Sequence, residues 1–276
     1  AMESASGTRE ESWSCACDTA AGSSNTPIMN SNMVFFFMLQ IFIFAKITKI
    51  MERVTGFLSL LSHNNNKEWF DAHKSQYKEA LEVFQDFTAE LINGIATFDK
   101  AVSGLSVKDC TFRIYRDLRF SPDKTPYKTY MGAYVCPGGK KSGFAGYYFH
   151  IGAAVNDWSG HNFMSSGLYQ AHPAVVKSVR DDILYDATPY LDAIALAEGF
   201  EIDFGGCLKR VPAGYPSDSP FEHFFRLKDF LLARYMDDAF LFDKNLLKNV
   251  LSGFEKTYNF VELLNRSVTY ANTSRN

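Results

Sequence analysis

Between Arg113 and Lys128 the chain reads RIYRDLRFSPDKTPYK, and no other stretch sets so much charge beside so many aromatic rings. Arg113, Arg116, Arg119, Lys124 and Lys128 are its cations, Asp117 and Asp123 its anions, and Tyr115, Phe120 and Tyr127 its rings. A guanidinium presents a planar fork of N–H donors that fits a carboxylate or phosphate, and an ammonium adds a point charge. Five cations against two aspartates leave a local positive excess inside a chain of net charge −3. The pattern predicts a pocket for an anionic ligand, a phosphorylated or acidic small molecule. In it Asp117 orients an arginine, Tyr115 or Tyr148 offers a stacking face, and His150 or Tyr148 closes the far side. A competing reading makes the motif an internal ion-pair network, Arg116 with Asp117 and Asp123 with Lys124. Such pairs pin an irregular loop to the sheet and fix geometry more than they add stability.

An enzymatic reading takes Asp117, Asp123 and His150 as the acid–base groups nearest the motif. The signal is thin, because the chain has no H-E-x-x-H, no G-x-S-x-G, no Walker loop and no Gly-rich dinucleotide turn. The sequence therefore names no metal and leaves the cofactor unknown. Pro137 to Gly143, PGGKKSG, has the glycines and lysines of a phosphate cradle and equally those of a hairpin turn. Net charge and the shortness of the basic run argue against nucleic acid as partner. A third use, as a monomeric or homodimeric interaction protein, rests on the aromatic surplus, notably Phe221, Phe224 and Phe225. Core packing is the commoner fate of such residues.

The elements that must position these groups follow from periodicity. Phe57 to Leu61 predicts one or two helical turns. Asn65 with Glu68 is a candidate capping box. Phe70, Tyr77, Leu81, Phe84, Phe87, Leu91, Ile95 and Phe98 predict one long helix from about Lys67 to Phe98. After Gly104 the period falls to two, and Phe112 to Tyr115 reads as a strand. Ser121-Pro122 and Thr125-Pro126 exclude a helix and predict a loop. Tyr130 to Val135 and Gly146 to Gly152 read as a hairpin, with Tyr147, Phe149 and Ile151 on one face and Tyr148 and His150 on the other. His172-Pro173 and Thr188-Pro189 open helices, Thr188 as N-cap of the second. A short strand or hairpin fits within Glu201 to Leu208, and Phe230 to Met236 reads as a strand. A last helix starts near Asp243 and frays after about Arg266. The class is α+β: a central, mainly antiparallel sheet with a long N-terminal helix and further helices packed around it.

With 276 residues, 46% of them hydrophobic, the chain can bury a core without staples. Residues 51–276 read as a single domain. Residues 1–50 read as a non-core extension: Ser, Ala and Glu first, then the apolar run Met33 to Ala45. That run is short of the roughly 20 residues a spanning helix needs. It is read as lying upstream of a native start at Met51, as a membrane-proximal anchor, or as an added element. Under the first of these the protein is cytoplasmic. Cys15, Cys17, Cys110, Cys136 and Cys207 lack C-x-x-C spacing and are expected as free thiols.

Several of these segments occur in one order: FLSLLSHNNNKEWF, RDLRFSPDKTPYK, GYYFHI, LKRVPAGYP and then Leu-Lys-Asp-Phe. Together, over roughly Gly56 to Val268, they resemble a widespread bacterial and fungal family of conserved proteins with a domain of unknown function, DUF2461. The resemblance implies a cytosolic single-domain α+β protein that starts near Met51. It brings no agreed activity, cofactor or catalytic residue. One departure is the stretch from Gly160 to Pro173, which is looser than the family's pattern of glycines close to an aromatic and a proline.

Overall fold

Apolar residues at helical spacing open the domain. Helix α1 runs through residues 51–63 and buries Met51, Val54, Phe57, Leu58 and Leu61, so Phe57 to Leu61 belongs to a longer helix than expected. Asn66, rather than Asn65, caps helix α2 (Lys67–Ala72) by accepting from the Trp69 amide. The single helix expected from Lys67 to Phe98 is divided at His73, where α3 (Lys74–Phe98) begins. There the backbone leaves the helical region (φ −107°, ψ 19°), with the His73 amide shared between the Trp69 and Phe70 carbonyls. The His73 ring stacks on Trp69 at 4.1 Å. A 3₁₀ turn, Lys100–Val102, follows, and then α4 (Val107–Cys110), closed by a capping box between Ser106 and Asp109.

Among the described residues five strands form the sheet: β1 (Tyr130–Val135), β2 (Gly146–Gly152), β3 (Phe163–Leu168), β4 (Glu201–Ile202) and β5 (Phe230–Tyr235). Their order is β1-β2-β3-β5-β4 and every neighbouring pair is antiparallel. The fold is α+β. Strand β3 escapes a reading by alternation because its central residues are buried on both faces. Helices α5 (Pro173–Tyr185) and α6 (Thr188–Leu196) start at the two prolines, although Ala187 and not Thr188 holds the cap position of α6. Then come α7 (Glu222–Phe225), α8 (Asp238–Leu241), α9 (Leu246–Lys256) and α10 (Tyr258–Thr273). The expected last helix is thus two, parted at Thr257, whose buried hydroxyl lies 2.8 Å from the Phe254 carbonyl and 2.7 Å from Ser166 Oγ. Helix α10 does not fray after Arg266, since Val268 and Ala271 remain in the core.

The computed structural model describes residues 51–119, 121–153 and 160–274, within one compact unit. The extension 1–50, Cys15 and Cys17 among it, lies outside the described residues. One sheet face carries Tyr147, Phe149, Met164 and Ser166 and meets α3, α9 and α10. Phe87 packs on Phe149 at 4.8 Å, Phe254 and Phe98 on Tyr147 at 5.4 and 5.8 Å, and Thr257 bonds Ser166. The Tyr147 hydroxyl donates to the buried Asp99 carboxylate. Phe224 and Phe225 are core residues, and Phe221 packs against the core. Among the described residues no helix is long and apolar enough to cross a membrane.

Cys110 and Cys136 are buried free thiols and Cys207 is half-buried. Burial pushes the Cys110 thiol up to about 12 and the Cys136 thiol up to about 11. The thiolate is the nucleophile, so these two are inert in the folded protein. Peptide mapping after alkylation at mildly alkaline pH is expected to find Cys207 modified well before either. Rapid labelling of Cys110 or Cys136 in folded protein would contradict the packing described.

Candidate functional site

The central motif is a folded-back arm rather than a strand. Thr111 bridges Ala133 of β1, whereas Tyr115 bridges Tyr127 within the motif itself. The expected strand from Phe112 to Tyr115 is not continuous because its pairing partner changes between those two points. The arm closes on itself through Arg116 N to Pro126 O (3.0 Å) and Lys128 N to Ile114 O (2.8 Å). Ile114 and Tyr127 face inward and are buried, with Tyr127 stacked on Phe70 of α2 at 3.9 Å, whereas Tyr115 is exposed and meets Phe70 edge-on and Tyr127 at a tilt. Asn65 clamps the same point, donating to the Tyr127 carbonyl (2.9 Å) and accepting from its amide (3.1 Å).

With the apolar side committed, the charged side chains sort into two groups. Arg116 pairs with Asp123 and donates to the Thr125 and Ser121 hydroxyls, and Asp123 also accepts from the Thr125 amide. Arg119 grips Asp117 with Nε at 2.9 Å and Nη2 at 2.5 Å. The pairing is therefore Arg116 with Asp123 and Arg119 with Asp117, not the sequence neighbours expected. Hydrogen bonds from these arginines hold both carboxyls at about 2, well below the usual aspartate range. Both are ionised at neutral pH, so neither can act as a general acid there. Lys124 Nζ donates to the Leu118 carbonyl at 3.1 Å.

Arg113 and Lys128 form the second group. Arg113 is exposed. Lys128 Nζ lies 5.5 Å from the Phe112 ring centroid and 5.6 Å from that of Tyr130. Burial, and then the nearby Arg113 guanidinium, pull the Lys128 ammonium below the ordinary lysine value. Among the described residues neither Arg113 nor Lys128 forms an ion pair.

These two cations stand beside the sheet face turned away from α3, α9 and α10. By register, Tyr130, Gly132 and Tyr134 of β1 share that face with Tyr148 and His150, with Phe163 and Ser165, and with Ala233 and Tyr235. Tyr130 stacks on His150 at 4.7 Å and His150 on Phe163 at 4.5 Å. The Tyr148 hydroxyl lies 2.9 Å from His150 Nδ1. That end of the ring passes close to Gly132, where a Cβ would come within 2.5 Å of the oxygen. Burial raises the Tyr148 phenol well above its usual value, keeping it a protonated donor. His150 is fully buried. Ser165 Oγ, beside Tyr148 in the register, is buried without a hydrogen-bond partner among the described residues.

The structure thus gathers Arg113, Lys128, Phe112, Tyr130 and Tyr148, leaves Asp117 and Asp123 in their own arginine pairs, and sets His150 in the sheet on Tyr148. Phe112, Tyr130, Phe163 and Ser165 were not singled out by sequence reasoning. The only signal for them was the alternation that put Tyr148 and His150 on one face of β2. The Pro137 to Gly143 turn is a hairpin connection, with Lys140 Nζ spent on the Lys108 carbonyl. The LKRVPAGYP loop is tied to α5 by the Tyr215 hydroxyl, which donates to Asp181 at 2.7 Å. Among the described residues no group of three His, Cys, Asp or Glu side chains is placed to hold a metal.

Comparison with protein families gives a match to the conserved hypothetical proteins DUF2461 over residues 53–263, which include the motif, the whole sheet and the hydrophobic face of α3. The chain belongs to the DUF2461 family. No curated protein and no solved structure matches it. Membership places the Arg113–Lys128 arm and the Tyr148–His150 strand inside the family's domain, while the last turns of α10 lie beyond the match.

Proposed function

We propose that this DUF2461 domain binds a small anionic ligand, a phosphate or carboxylate, at Arg113 and Lys128 beside Phe112, Tyr130 and Tyr148. The observation that carries the reading is the state of Lys128. An ammonium is half-buried between two rings and beside a second cation, with no carboxylate among the described residues paired to it. A bound anion would relieve that repulsion and gain charge-assisted hydrogen bonds from both groups. Arg116, Arg119, Lys124, Asp117 and Asp123 then have a supporting part, bracing the arm that presents the two cations. An enzymatic use would have Tyr148, backed by His150, as a hydrogen-bond donor to the bound group, rather than the two aspartates as acids. The ion pairs of the arm favour one further reading, in which the whole motif is structural and binds nothing. The free thiols Cys110, Cys136 and Cys207 support a reducing, cytoplasmic setting.

Calorimetric titration with inorganic phosphate and with citrate tests the reading. Lys128→Gln and Arg113→Gln are each expected to weaken binding about tenfold, matching the loss of one charged hydrogen bond. Arg119→Gln is expected to leave affinity within about twofold. Millimolar phosphate and citrate both failing to bind would overturn the proposal in favour of the structural reading. Binding also carries a pH signature. The folded-state pKa of Lys128 lies below its unfolded value, so anion affinity falls as pH rises through that depressed pKa. Stability of the ligand-free protein rises over the window from there to the unfolded value. Lys128→Arg is expected to abolish this pH dependence while retaining affinity.

A further inference from the structure

The cations occupy one end of a longer tract. Lys128 sits beside Phe112, and Phe112 meets Tyr148 edge-on at 6.4 Å. Tyr148 in turn contacts Phe163 at 5.7 Å, and Phe163 contacts Tyr235 at 6.1 Å. The rings form a continuous path across β2, β3 and β5, away from the positive end. Much of it is open: Phe112 is 40% exposed, Tyr235 71% and Tyr169 65%. The Tyr169 phenol lies close enough to those of Tyr130 and Tyr148 to raise both. A protonated phenol is a hydrogen-bond donor and acceptor beside a π-face. An inorganic anion held by Arg113 and Lys128 would use none of this surface and would leave the rings in water.

We infer that the ligand's anionic group is attached to a planar aromatic ring. The phosphate or carboxylate lies at Arg113 and Lys128, and the ring lies on Phe112 and Tyr148, at the start of the path toward Phe163 and Tyr235. The charge complementarity of the cationic end fixes the polarity of the ligand, and the direction of the ring tract fixes its orientation. The inference rests on the anion-binding reading above and adds the chemical class of the organic part. Phosphate esters are the natural probes because the anion can be held constant while the organic group varies.

The experiment compares phenyl phosphate, cyclohexyl phosphate and methyl phosphate on the full chain. Phenyl phosphate is expected to bind about tenfold more tightly than methyl phosphate, in the range that one stacked ring supplies. Cyclohexyl phosphate, apolar but not planar, is expected to gain much less. Phe112→Ala is expected to remove the phenyl advantage, read as the ratio of phenyl to methyl phosphate affinity, so that any change in methyl phosphate binding itself does not enter. On the unaltered protein, ring resonances of Phe112 and Tyr148 are expected to shift with phenyl phosphate and not with methyl phosphate. Equal binding of the three esters would overturn the inference and leave the anion site standing. A phenyl advantage that survives Phe112→Ala would also overturn it. Failure of all three esters and of inorganic phosphate would remove the anion site, and the inference with it.

Discussion

Gly167→Ala is expected to lower the stability of the domain by about 3 kcal/mol, among the largest effects of any single methyl group in this sheet. Gly167 sits in β3 with φ +136°, and a Cβ there would fall 2.0 Å from the Phe230 carbonyl oxygen. The obstacle is backbone, so no side chain can swing aside to make room. The strand must move away from β5, loosening the pairing from Phe163↔Tyr235 to Leu168↔Phe230. The Tyr134 hydroxyl, 2.9 Å from the Gly167 carbonyl, would be displaced as well. Urea unfolding followed by circular dichroism measures the effect as a lower midpoint. A control with the opposite sign is Gly56→Ala in α1, where nothing lies within 4 Å of the added carbon. That change is expected to stabilise by about 0.5–1 kcal/mol through helix propensity. Equal midpoints for Gly167→Ala and the parent chain would show that β3 does not approach β5 as described.

Phe70→Ala is expected to cost about 3–5 kcal/mol and to release the central arm as well. Phe70 is 1% exposed and lies between Tyr77 at 5.1 Å and Tyr127 at 3.9 Å, with Phe57 and Tyr115 at its edges. Its loss removes the floor on which Tyr127 stacks and leaves the clamp by Asn65, in the turn before α2, to tie the arm down. Hydrogen exchange reads the second consequence. The amides of Arg116 and Lys128, bonded to Pro126 and Ile114, are expected to lose protection beyond that of the sheet amides. Unchanged relative protection would show that the arm is held by its own ion pairs alone. Anion binding should weaken in the same variant, because Arg113 and Lys128 are positioned by the arm.

How much of this was legible in the sequence depends on whether the deciding interaction is local. Tyr130 to Val135 and Gly146 to Gly152 form strands with the expected bounds because short runs rich in aromatic and β-branched residues flank the glycine-rich turn Pro137 to Gly143, a local hairpin signal. The helix starts at His172-Pro173 and Thr188-Pro189 were readable because proline in a first turn is a local steric preference. The break at His73 and the break at Thr257 were not. The apolar period runs through each position undisturbed, and the interruption comes from a ring stack in one case and a hydroxyl reaching Ser166 across the core in the other.

The same division governs the candidate site. The sequence alone determined that charge and aromatic rings are concentrated between Arg113 and Lys128, that Tyr148 and His150 share a face, and that the class is α+β. Tertiary structure alone decided which carboxylate meets which arginine, and so which cations stay unpaired. It also brought Tyr130, Phe163 and Tyr235 into line with Tyr148, because strand register places residues far apart in the chain side by side. Composition counts charges and rings, but Coulomb energy and stacking depend on separations of a few ångströms, and those are set only when the strands pair and the arm docks on Phe70.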